Sequence, residues 1–509
     1  MRLKLGLLVA PLVVASAFAA VPARSASTTT ATDFVVTSSL DGTPLKARFY
    51  RPADGGPFPI VMLPHGGGGT VDSDAPRAAR FATEGFVGVV WSARGHGESE
   101  GLYDLFGPAT VQDTKDVLTW ILDHTDLTAA DPERVGIAGY SQGGGTTNLA
   151  AAFDDRIDVI GPGHTFMGLE ESLKPNGCAK TSVDSVILAA AYLANRARPR
   201  LDLVARWSTF VTAGLQADET RADWSIRSPK ENVARITEPS LSVQAFDDPL
   251  FPVDHALVMD ELEANPNSKL WLSWGGHFAA PAPAYEAEAR EDAWHRWMQH
   301  WLQSPNGADL EPRVTWWYRA SDRTTLVKRQ SAAWPPPGTV QRSLGISGSV
   351  AHAGGAQGLA DDPIGAYFPR NYTPLGEPLS GLPNHTPADT VVTSTEPMAS
   401  AQIFAGSARA DLQWTSTAPE SQITAKAWDI APDGTATMLG RGCTAVTGTP
   451  GVAQHVALDL WPSAVEIPVG HRVEVWVQAA DSPMWLPAAA PSINTIGPAS
   501  SVTLPLVPA

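Results

Sequence analysis

A pentapeptide in the first third of the chain, Gly139-Tyr140-Ser141-Gln142-Gly143, constrains the fold more than any other feature. It follows Arg134–Ala138, which is typical of a short buried strand, and precedes Thr146–Phe153, which has a helical composition. A G-x-S-x-G pattern between a strand and a helix is typical of a sharp, strained turn, because side chains larger than that of glycine would clash beside the serine. The pattern predicts that the Ser141 hydroxyl stands exposed as a nucleophile, with a chance glycine-rich turn as the alternative.

Short apolar strands alternate with helical segments on both sides of this turn, which predicts a parallel sheet covered by helices on both faces. The predicted strands are Phe34–Ser38, Lys46–Tyr50, Pro59–Leu63, Val87–Trp91, Pro239–Ala245 and Leu270–Trp274, and the predicted helices are Pro76–Glu84, Val111–Asp123, Asp254–Ala264 and Ala284–Leu302. With the turn at Ser141, this order predicts an α/β-hydrolase domain over residues 33–305. The mostly helical stretch of about 164–233 is predicted to be a lid or pocket wall inserted into that domain.

A serine hydroxyl needs a histidine base and an acid that orients it, and in this fold they follow the serine in the order acid, then histidine. His277 lies in a glycine loop directly after the last predicted strand, so we predict that it is the base. The preceding predicted strand ends at Phe246-Asp247-Asp248-Pro249. Adjacent side chains in an extended turn point in opposite directions, so only one aspartate is expected to face His277. We predict Asp248, with Asp247 as the alternative.

Two backbone N–H groups are expected to stabilise the negative charge on the oxygen of the reaction intermediate. One should belong to Gln142, the residue after the nucleophile. The other should come from the loop that follows the Pro59–Leu63 strand, where His65-Gly66-Gly67-Gly68 resembles an HGGG oxyanion loop. Gly67 is the predicted donor, and a merely flexible turn is the alternative.

Beyond Asn306 the helical periodicity fades. Strand-like runs alternate there with turns rich in proline, glycine and aspartate, and they include Val314–Arg319, Gln422–Ala427, His455–Leu460 and Arg472–Gln478. Such a pattern predicts an all-β module, a sandwich or jelly roll, over residues 310–509.

The N-terminus is typical of a secretory signal peptide. Arg2 and Lys4 precede an apolar run from Leu5 to Ala20, and small residues suited to cleavage follow. Residues 1–26 are predicted to form the signal peptide, with cleavage after Ala26 or earlier, after Ala23 or at the Ala17-x-Ala19 pattern. We therefore predict a secreted protein with no membrane association after cleavage, and an uncleaved anchor is the alternative. Cys178 and Cys443 could pair in an exported protein, but two cysteines do not make a disulfide scaffold.

Charge and motif content argue against several other classes of function. The net charge is −17 and the pI about 5.1, whereas a nucleic-acid-binding protein needs a basic patch. No Cys/His cluster has the spacing of a zinc site, and Gly95-His96-Gly97-Glu98-Ser99-Glu100-Gly101 is only a weak near-match to a dinucleotide fingerprint. We expect no metal, no cofactor and no nucleic-acid partner, and the expected partner is a small ester or peptide substrate.

Beyond these local signals, the order of motifs resembles the X-Pro dipeptidyl-peptidase and cocaine-esterase family, also called peptidase S15 or CocE/NonD hydrolases, over roughly residues 33–505. The stretches similar to that family are 92–101, 135–141, the acid loop 246–251, Gly275-Gly276-His277, Trp334-Pro335-Pro336, 429–434 and 468–475. The resemblance implies a hydrolase domain followed by a non-catalytic jelly roll, and it supports Asp248 as the acid.

The chain departs from the family pattern around the nucleophile. Well-known members carry tyrosine after the serine, where this chain has Gln142, and take an oxyanion donor from a tyrosine where this chain has His65 followed by glycines. Ser92 also replaces an aspartate of the family pattern. We therefore expect an oxyanion hole built from backbone N–H groups.

The sequence favours ester hydrolysis over release of X-Pro dipeptides. A dipeptidyl-peptidase must capture a free amino group with a buried acidic or carbonyl clamp. The spacing of the acids in the insertion (Glu170, Glu171, Asp184 and Asp202) identifies no such clamp, whereas its apolar residues (Phe166, Met167, Leu169, Trp207 and Phe210) suit an uncharged acyl group or plain helix packing. An inactive hydrolase fold that binds a glycan or polymer is an alternative of another class.

Overall fold

The structure is a computed structural model that describes residues 29–180, 197–212, 221–263, 265–277, 279–304, 312–354, 389–481 and 484–509. The predicted signal peptide lies outside these ranges, as does Asp184. No helix within them is both long and apolar enough to span a bilayer.

Among the described residues, the helices lie before residue 305 together with the parallel strands, and the regular elements after residue 311 are strands. The α-helices are α1 (Ala75–Thr83), α2 (Pro108–Asp123), α3 (Thr125–Thr128), α4 (Gln142–Phe153), α5 (Leu169–Leu173), α6 (Leu201–Thr212), α7 (Arg221–Ser225), α8 (Asp254–Glu263) and α9 (Ala284–Leu302). Short 3-10 helices span Pro175–Gly177 and Pro229–Arg235. The strands up to the end of the predicted catalytic domain are β1 (Thr29–Thr37), β2 (Pro44–Pro52), β3 (Phe58–Met62), β4 (Val87–Trp91), β5 (Ala130–Tyr140), β6 (Val159–Gly163), β7 (Leu241–Ala245) and β8 (Lys269–Ser273). The later strands are β9 (Val314–Arg319), β10 (Leu326–Ser331), β11 (Val340–His352), β12 (Val391–Ser394), β13 (Gln402–Gly406), β14 (Arg409–Ser416), β15 (Glu420–Ile430), β16 (Ala436–Thr447), β17 (Gln454–Asp459), β18 (Ser463–Ile467), β19 (Arg472–Gln478) and β20 (Ser492–Pro508).

The first domain contains a mixed sheet in the order β1-β2-β4-β3-β5-β6-β7-β8. Strand β2 pairs antiparallel with both β1 and β4, and all neighbouring strands from β4 onward in this order pair in parallel. The strands β4, β6 and β7 are buried along their whole length, as expected for parallel strands covered on both faces. This is the predicted α/β-hydrolase architecture. The strand β6 was not predicted, because two of the five residues in Val159–Gly163 are glycine and one is proline, which weaken the strand signal.

The sheet does not end at the predicted domain boundary. Strand β9 pairs in parallel with β8, so Val314–Arg319 extends the hydrolase sheet, although its sequence pattern assigned it to the all-β module. It also meets β18 in parallel at Arg319 and Val465. One sheet therefore continues from the hydrolase domain into the C-terminal domain.

The C-terminal domain consists of β-strands, as predicted. One sheet contains β18-β13-β20-β14-β17 with β11 paired to β20, and a second has the order β12-β19-β15-β16. Buried and more exposed residues alternate along β14, so that its apolar side chains face the core. Buried residues of both sheets, such as Trp414 and Val475, belong to one hydrophobic cluster with the core of the first domain.

The described parts of the insertion at 164–233 are mainly helical and lie between the two domains. They contain α5, α6, α7 and the two 3-10 helices. Cys178 of the insertion forms a disulfide bond with Cys443 of β16, 265 residues away in the chain. The two cysteines that the sequence left unassigned thus join the insertion covalently to the C-terminal domain.

Candidate active site

Ser141 lies at the turn between β5 and α4 in a strained backbone conformation, with φ 57° and ψ −121°. The turn requires glycine on both sides. A Cβ atom on Gly139 would lie 2.7 Å from the Pro64 oxygen, and one on Gly143 would lie 2.0 Å from the same atom. The turn can therefore pack against the loop after β3 only with glycine at these positions, and strain of this kind is concentrated at functional sites.

Hydrogen bonds to Gly163 at the end of β6 and from Thr165 just beyond it hold the Ser141 backbone. Its N–H donates to the Gly163 oxygen of β6 at 2.8 Å, and its own carbonyl oxygen accepts a bond from Thr165 Oγ1 at 2.8 Å. Gln244 Nε2 in turn donates to the Thr165 carbonyl oxygen at 2.5 Å. Sequence reasoning missed Thr165 and Gln244, since neither belongs to a motif and they lie 24 and 103 positions from the serine.

Asp248 and His277 lie in direct contact. The His277 Nδ1 is 2.7 Å from Asp248 Oδ2, and the Asp248 side chain is fully buried. The other carboxylate oxygen, Oδ1, accepts hydrogen bonds from the N–H groups of Leu250 and Phe251 at 2.9 and 3.0 Å. Burial raises the pKa of Asp248, but the charge and hydrogen bond of His277, with smaller contributions from His164 and the Phe251 N–H, outweigh it and lower the pKa below its usual value. Asp248 is therefore held as a buried carboxylate.

Asp247, the alternative acid, makes different contacts. Its Oδ1 accepts the N–H groups of Gly275 and Gly276 at 2.8 and 3.1 Å, and its Oδ2 lies 3.3 Å from Arg319 Nη2. Burial raises the pKa of Asp247, against the opposing effects of Arg319 and the two glycine N–H groups. Asp247 thus holds the loop that carries His277. Arg319, which ends β9, was missed because the sequence contains no signal that links it to residue 247.

The histidine loop and the serine turn meet at the end of β6. His164 directly follows Gly163, the residue that accepts the Ser141 N–H bond. The His164 ring lies 6.4 Å from the His277 ring and 5.2 Å from that of Tyr140, measured between centroids. Burial, with a smaller effect of Arg290, lowers the pKa of His164 to about 3, so this histidine is neutral near pH 7. The segments that carry the predicted base and nucleophile therefore both lie near the end of β6.

The glycine loop after β3 lies against the serine turn. The Gly69 N–H donates to the Gly66 oxygen at 3.0 Å, and Gly68 has a φ of +74°, as the third residue of a type II turn requires. A Cβ atom on Gly66 would lie 3.8 Å from Ser141 Cβ, and one on Gly67 would lie 3.7 Å from Gln142 Oε1. Within the described residues, the backbone N–H groups of Gly67 and Gln142 donate to no protein acceptor.

His65 supports this loop from behind. The Ala93 N–H donates to His65 Nε2 at 2.9 Å, so the ring proton lies on Nδ1, which donates to the Gly66 oxygen at 2.7 Å. Burial lowers the pKa of His65 to about 4, despite the opposing bond to Gly66. Both ring nitrogens of His65 are therefore engaged by backbone groups of the protein.

Aromatic side chains form one wall beside the histidine. The Phe251 ring lies 5.3 Å from the His277 ring in an edge-to-face arrangement, Phe166 lies 5.2 Å from Phe251, and Phe106 lies 5.0 Å from Phe166. Of the predicted apolar lid residues, Phe166 therefore lies toward the site. Trp207 and Phe210 instead pack on Trp224 within the insertion, as plain helix packing would require.

Several acids in and near the insertion are engaged by other protein groups. Asp202 pairs with Arg200 at 2.7 Å, and Glu171 pairs with Lys230. The buried Asp104 accepts hydrogen bonds from Ala109 N–H and Thr110 Oγ1. In the ranges that the structure covers, no group of three or more His, Cys, Asp or Glu side chains is arranged to hold a metal ion.

Sequence comparisons identify two family domains in the chain. Residues 41–279 match the X-Pro dipeptidyl-peptidase (S15 family) domain, and residues 306–503 match the X-Pro dipeptidyl-peptidase C-terminal non-catalytic domain. A thiohydrolase, AneE of Aspergillus aculeatus, is 30% identical over 24% of this chain and 38% of its own length. The quorum-quenching protein AidA of Acinetobacter baumannii is 34% identical over 22% of this chain and 38% of its own length. The chain thus spans just over a third of the length of these relatives.

Solved structures resemble the whole chain in fold. An aminopeptidase from a marine sediment archaeon of the Thaumarchaeota has a TM-score of 0.72 at 14% identity and covers 96% of this chain and 99% of its own. An α-amino acid ester hydrolase has a TM-score of 0.73 at 15% identity and covers 98% and 100%. A CocE/NonD family hydrolase from Staphylococcus aureus has a TM-score of 0.69 at 13% identity and covers 94% and 97%. With both family domains present in order, this protein belongs to the X-Pro dipeptidyl-peptidase (S15) family and is a serine hydrolase.

Proposed function

We propose that this serine hydrolase acts through a triad of Ser141, Asp248 and His277 and that it cleaves carboxylic esters with an uncharged acyl group. The observation that carries the triad is the 2.7 Å contact between His277 Nδ1 and the buried Asp248 carboxylate. Because Nδ1 donates to Asp248, the lone pair of the imidazole lies on Nε2, which is the nitrogen that can take the proton of Ser141.

The reaction then follows from the roles of these groups. His277 accepts the Ser141 proton while the hydroxyl oxygen attacks the ester carbonyl carbon, and the carbonyl oxygen becomes an oxyanion. The N–H groups of Gly67 and Gln142 donate to that oxyanion, supported by the N-terminus of α4. His277 next protonates the departing alcohol, and water releases the acyl group from Ser141 by the same steps in reverse order.

The preference for an uncharged acyl group rests on the surroundings of His277. Phe251 packs edge-to-face on the His277 ring, and Phe166 packs on Phe251, so the side of the imidazole that they cover is apolar. Asp104 and Asp202 are already engaged by other groups, so using either of them to hold an ammonium ion would break an existing interaction. An uncharged acyl group needs no such exchange.

The test compares p-nitrophenyl butyrate with Ala-Pro-p-nitroanilide, both free and N-acetylated. We expect the ester to be cleaved with the higher kcat/KM, and Ser141→Ala to lower kcat by about 10⁴–10⁶-fold. A fluorophosphonate probe should label the native protein and leave Ser141→Ala unlabelled. Activity of Ser141→Ala within about tenfold of the native enzyme would place the nucleophile elsewhere.

Release of X-Pro dipeptides is the second candidate, and the family match of the catalytic domain favours it. A dipeptidyl-peptidase would cleave the free dipeptide anilide efficiently and refuse the acetylated form, because acetylation removes the ammonium group. That result would overturn the ester proposal and leave the triad in place.

We also propose that the protein is exported after removal of residues 1–26. The disulfide between Cys178 and Cys443 supports this, since structural disulfides persist mainly in oxidising compartments. Mass spectrometry of the protein recovered from the medium of the producing cells should find an N-terminus near residue 27. An intact Met1 in a cell-associated protein would contradict export.

A further inference from the structure

The acid loop is held from two sides. On one side, Asp248 Oδ1 accepts the N–H groups of Leu250 and Phe251. On the other side, the Lys180 Nζ donates to the carbonyl oxygens of Pro249 and Leu250, both at 2.8 Å. Leu250 is therefore bound through its N–H to the carboxylate and through its carbonyl oxygen to the ammonium group, so its two peptide groups are fixed relative to Asp248.

Lys180 comes from the insertion and is completely buried. A buried ammonium group is costly unless hydrogen bonds replace its hydration, and here two carbonyl oxygens of one loop do so. The Nζ atom also lies 5.4 Å from the centroid of the Trp461 ring of the C-terminal domain, within range of a cation–π interaction. The lysine is thus placed where the insertion, the acid loop and the C-terminal domain meet.

The disulfide lies two residues before this lysine. Cys178 is bonded to Cys443, and the intervening Ala179 accepts the Leu486 N–H at 2.8 Å through its carbonyl oxygen. Gln422 Nε2 donates to the Leu486 oxygen at 3.0 Å. The segment that carries Lys180 is therefore fastened to the C-terminal domain both covalently and through a backbone hydrogen bond.

From this arrangement we infer that Lys180 is a positioning residue for the catalytic acid and that the Cys178–Cys443 disulfide holds it in place. The ammonium group orients the 249–250 peptides, these orient the Asp248 carboxylate, and the carboxylate orients His277. The inference rests on the proposed triad. It assigns a role in turnover to a lysine that touches neither His277 nor Ser141 in the described contacts.

The test is a double-mutant cycle with Lys180→Met and Asp248→Asn, in which kcat and KM for the preferred ester are measured for each variant. We expect Lys180→Met to lower kcat by about 10–100-fold, because a displacement of about 1 Å in a catalytic group has an effect of that size, with KM within about threefold. In the Asp248→Asn background the same change should lower kcat by less than about threefold, because the lysine acts through the carboxylate. A purely structural lysine would give equal losses in both backgrounds.

Lys230→Met is the matched control. Lys230 also belongs to the insertion, but it pairs with Glu171 and makes no described contact with the acid loop. Its substitution should leave kcat within about twofold. Far-UV circular dichroism and thermal unfolding of every variant show whether it is folded.

The double variant Cys178→Ala/Cys443→Ala provides an independent measurement if Lys180→Met does not fold. It keeps the lysine but removes the covalent anchor, so we expect a lower kcat with little change in KM. Reduction of the native protein, with thiol release checked by alkylation and mass spectrometry, should have the same effect.

The outcomes separate this inference from the proposed triad. If Asp248→Asn keeps full activity, the triad is wrong. If Asp248→Asn is inactive but Lys180→Met and the cysteine variant keep kcat within about twofold, the positioning role is overturned and the triad stands. Equal losses from Lys180→Met in both backgrounds would also overturn the positioning role.

Discussion

The hydrogen bonds of the acid loop predict how the replacement of Asp248 by asparagine changes kcat. In the native protein, Oδ1 is engaged by the N–H groups of Leu250 and Phe251, while Oδ2 faces His277 Nδ1. An asparagine can satisfy the two N–H donors only with its oxygen, so its NH₂ group must take the place of Oδ2. It then presents a donor to His277.

The imidazole must respond by changing its tautomer. To accept a hydrogen bond from the asparagine NH₂ group, His277 Nδ1 has to lose its proton, and the neutral ring then carries its proton on Nε2. An Nε2 that already holds a proton cannot take one from Ser141. The corresponding change in another Ser-His-Asp enzyme lowers kcat by about 10⁴-fold, and we expect about 10³–10⁴-fold here, which corresponds to about 4–5 kcal/mol.

Asp247→Asn is the matched control, because it makes the same chemical change one residue away. Its oxygen can still accept the N–H groups of Gly275 and Gly276, but its NH₂ group would face Arg319. We expect kcat to fall by no more than about tenfold, since the acceptor of His277 remains. The unfolding free energy should fall by about 3 kcal/mol, because the buried Arg319 loses the carboxylate charge of Asp247.

Two measurements separate the effect on kcat from the effect on stability. The release of p-nitrophenolate measures ester hydrolysis, and urea unfolding measures the unfolding free energy. The expected pattern is a catalytic defect with near-native stability for Asp248→Asn and a stability defect with substantial activity for Asp247→Asn. If Asp247→Asn were the more damaging change in kcat, the assignment of the acid would be reversed.

Two further predictions concern stability. A protein that ends near Asn306 lacks two groups that contact the catalytic domain: strand β9, which pairs with β8, and Arg319, which contacts Asp247. It should therefore be poorly soluble or weakly active. Full activity with an unchanged melting temperature would refute this expectation. Burial lowers the pKa of His65 to about 4. Between pH 6.5 and pH 4, the unfolded chain therefore binds a proton at His65 that the folded protein does not bind. As the pH is lowered through that range, the unfolding free energy should fall by up to about 3 kcal/mol. Urea unfolding should show a smaller decrease in His65→Gln, whose amide oxygen can still accept the Ala93 N–H, and an identical decrease would exclude His65 as the cause.

The elements around the serine could be predicted from sequence because their signals are local. The strand at Val87–Trp91 and the helix at Ala284–Leu302 have the predicted bounds, since apolar periodicity within each segment determines them. The serine turn was predictable for the same reason, because its steric demands fall on Gly139 and Gly143 beside it. The pairing of β9 with β8 was not predicted, because an apolar run indicates a strand but does not specify its neighbour.

The choice between Asp247 and Asp248 shows where local signals stop. Both aspartates are buried and both serve the histidine loop, one through its backbone and the other through the imidazole. Alternation along an extended turn predicts that they diverge, but not which one faces the ring. Packing of the acid loop against Gly276 decides this, since a Cβ atom on Gly276 would lie 2.6 Å from Asp248 Cβ.

By itself, the amino-acid sequence determined the fold class, the order of the two domains and the residue types from which the proposed triad is drawn, because each depends on periodicity or on spacing within a short motif. Only the tertiary structure decided which groups support that triad. Arg319 lies 72 positions from Asp247, and Lys180 lies 69 and 70 positions from its two acceptors. Cys178 lies 265 positions from Cys443. Contacts over such separations arise from the packing of whole elements, and no local pattern of side chains records them.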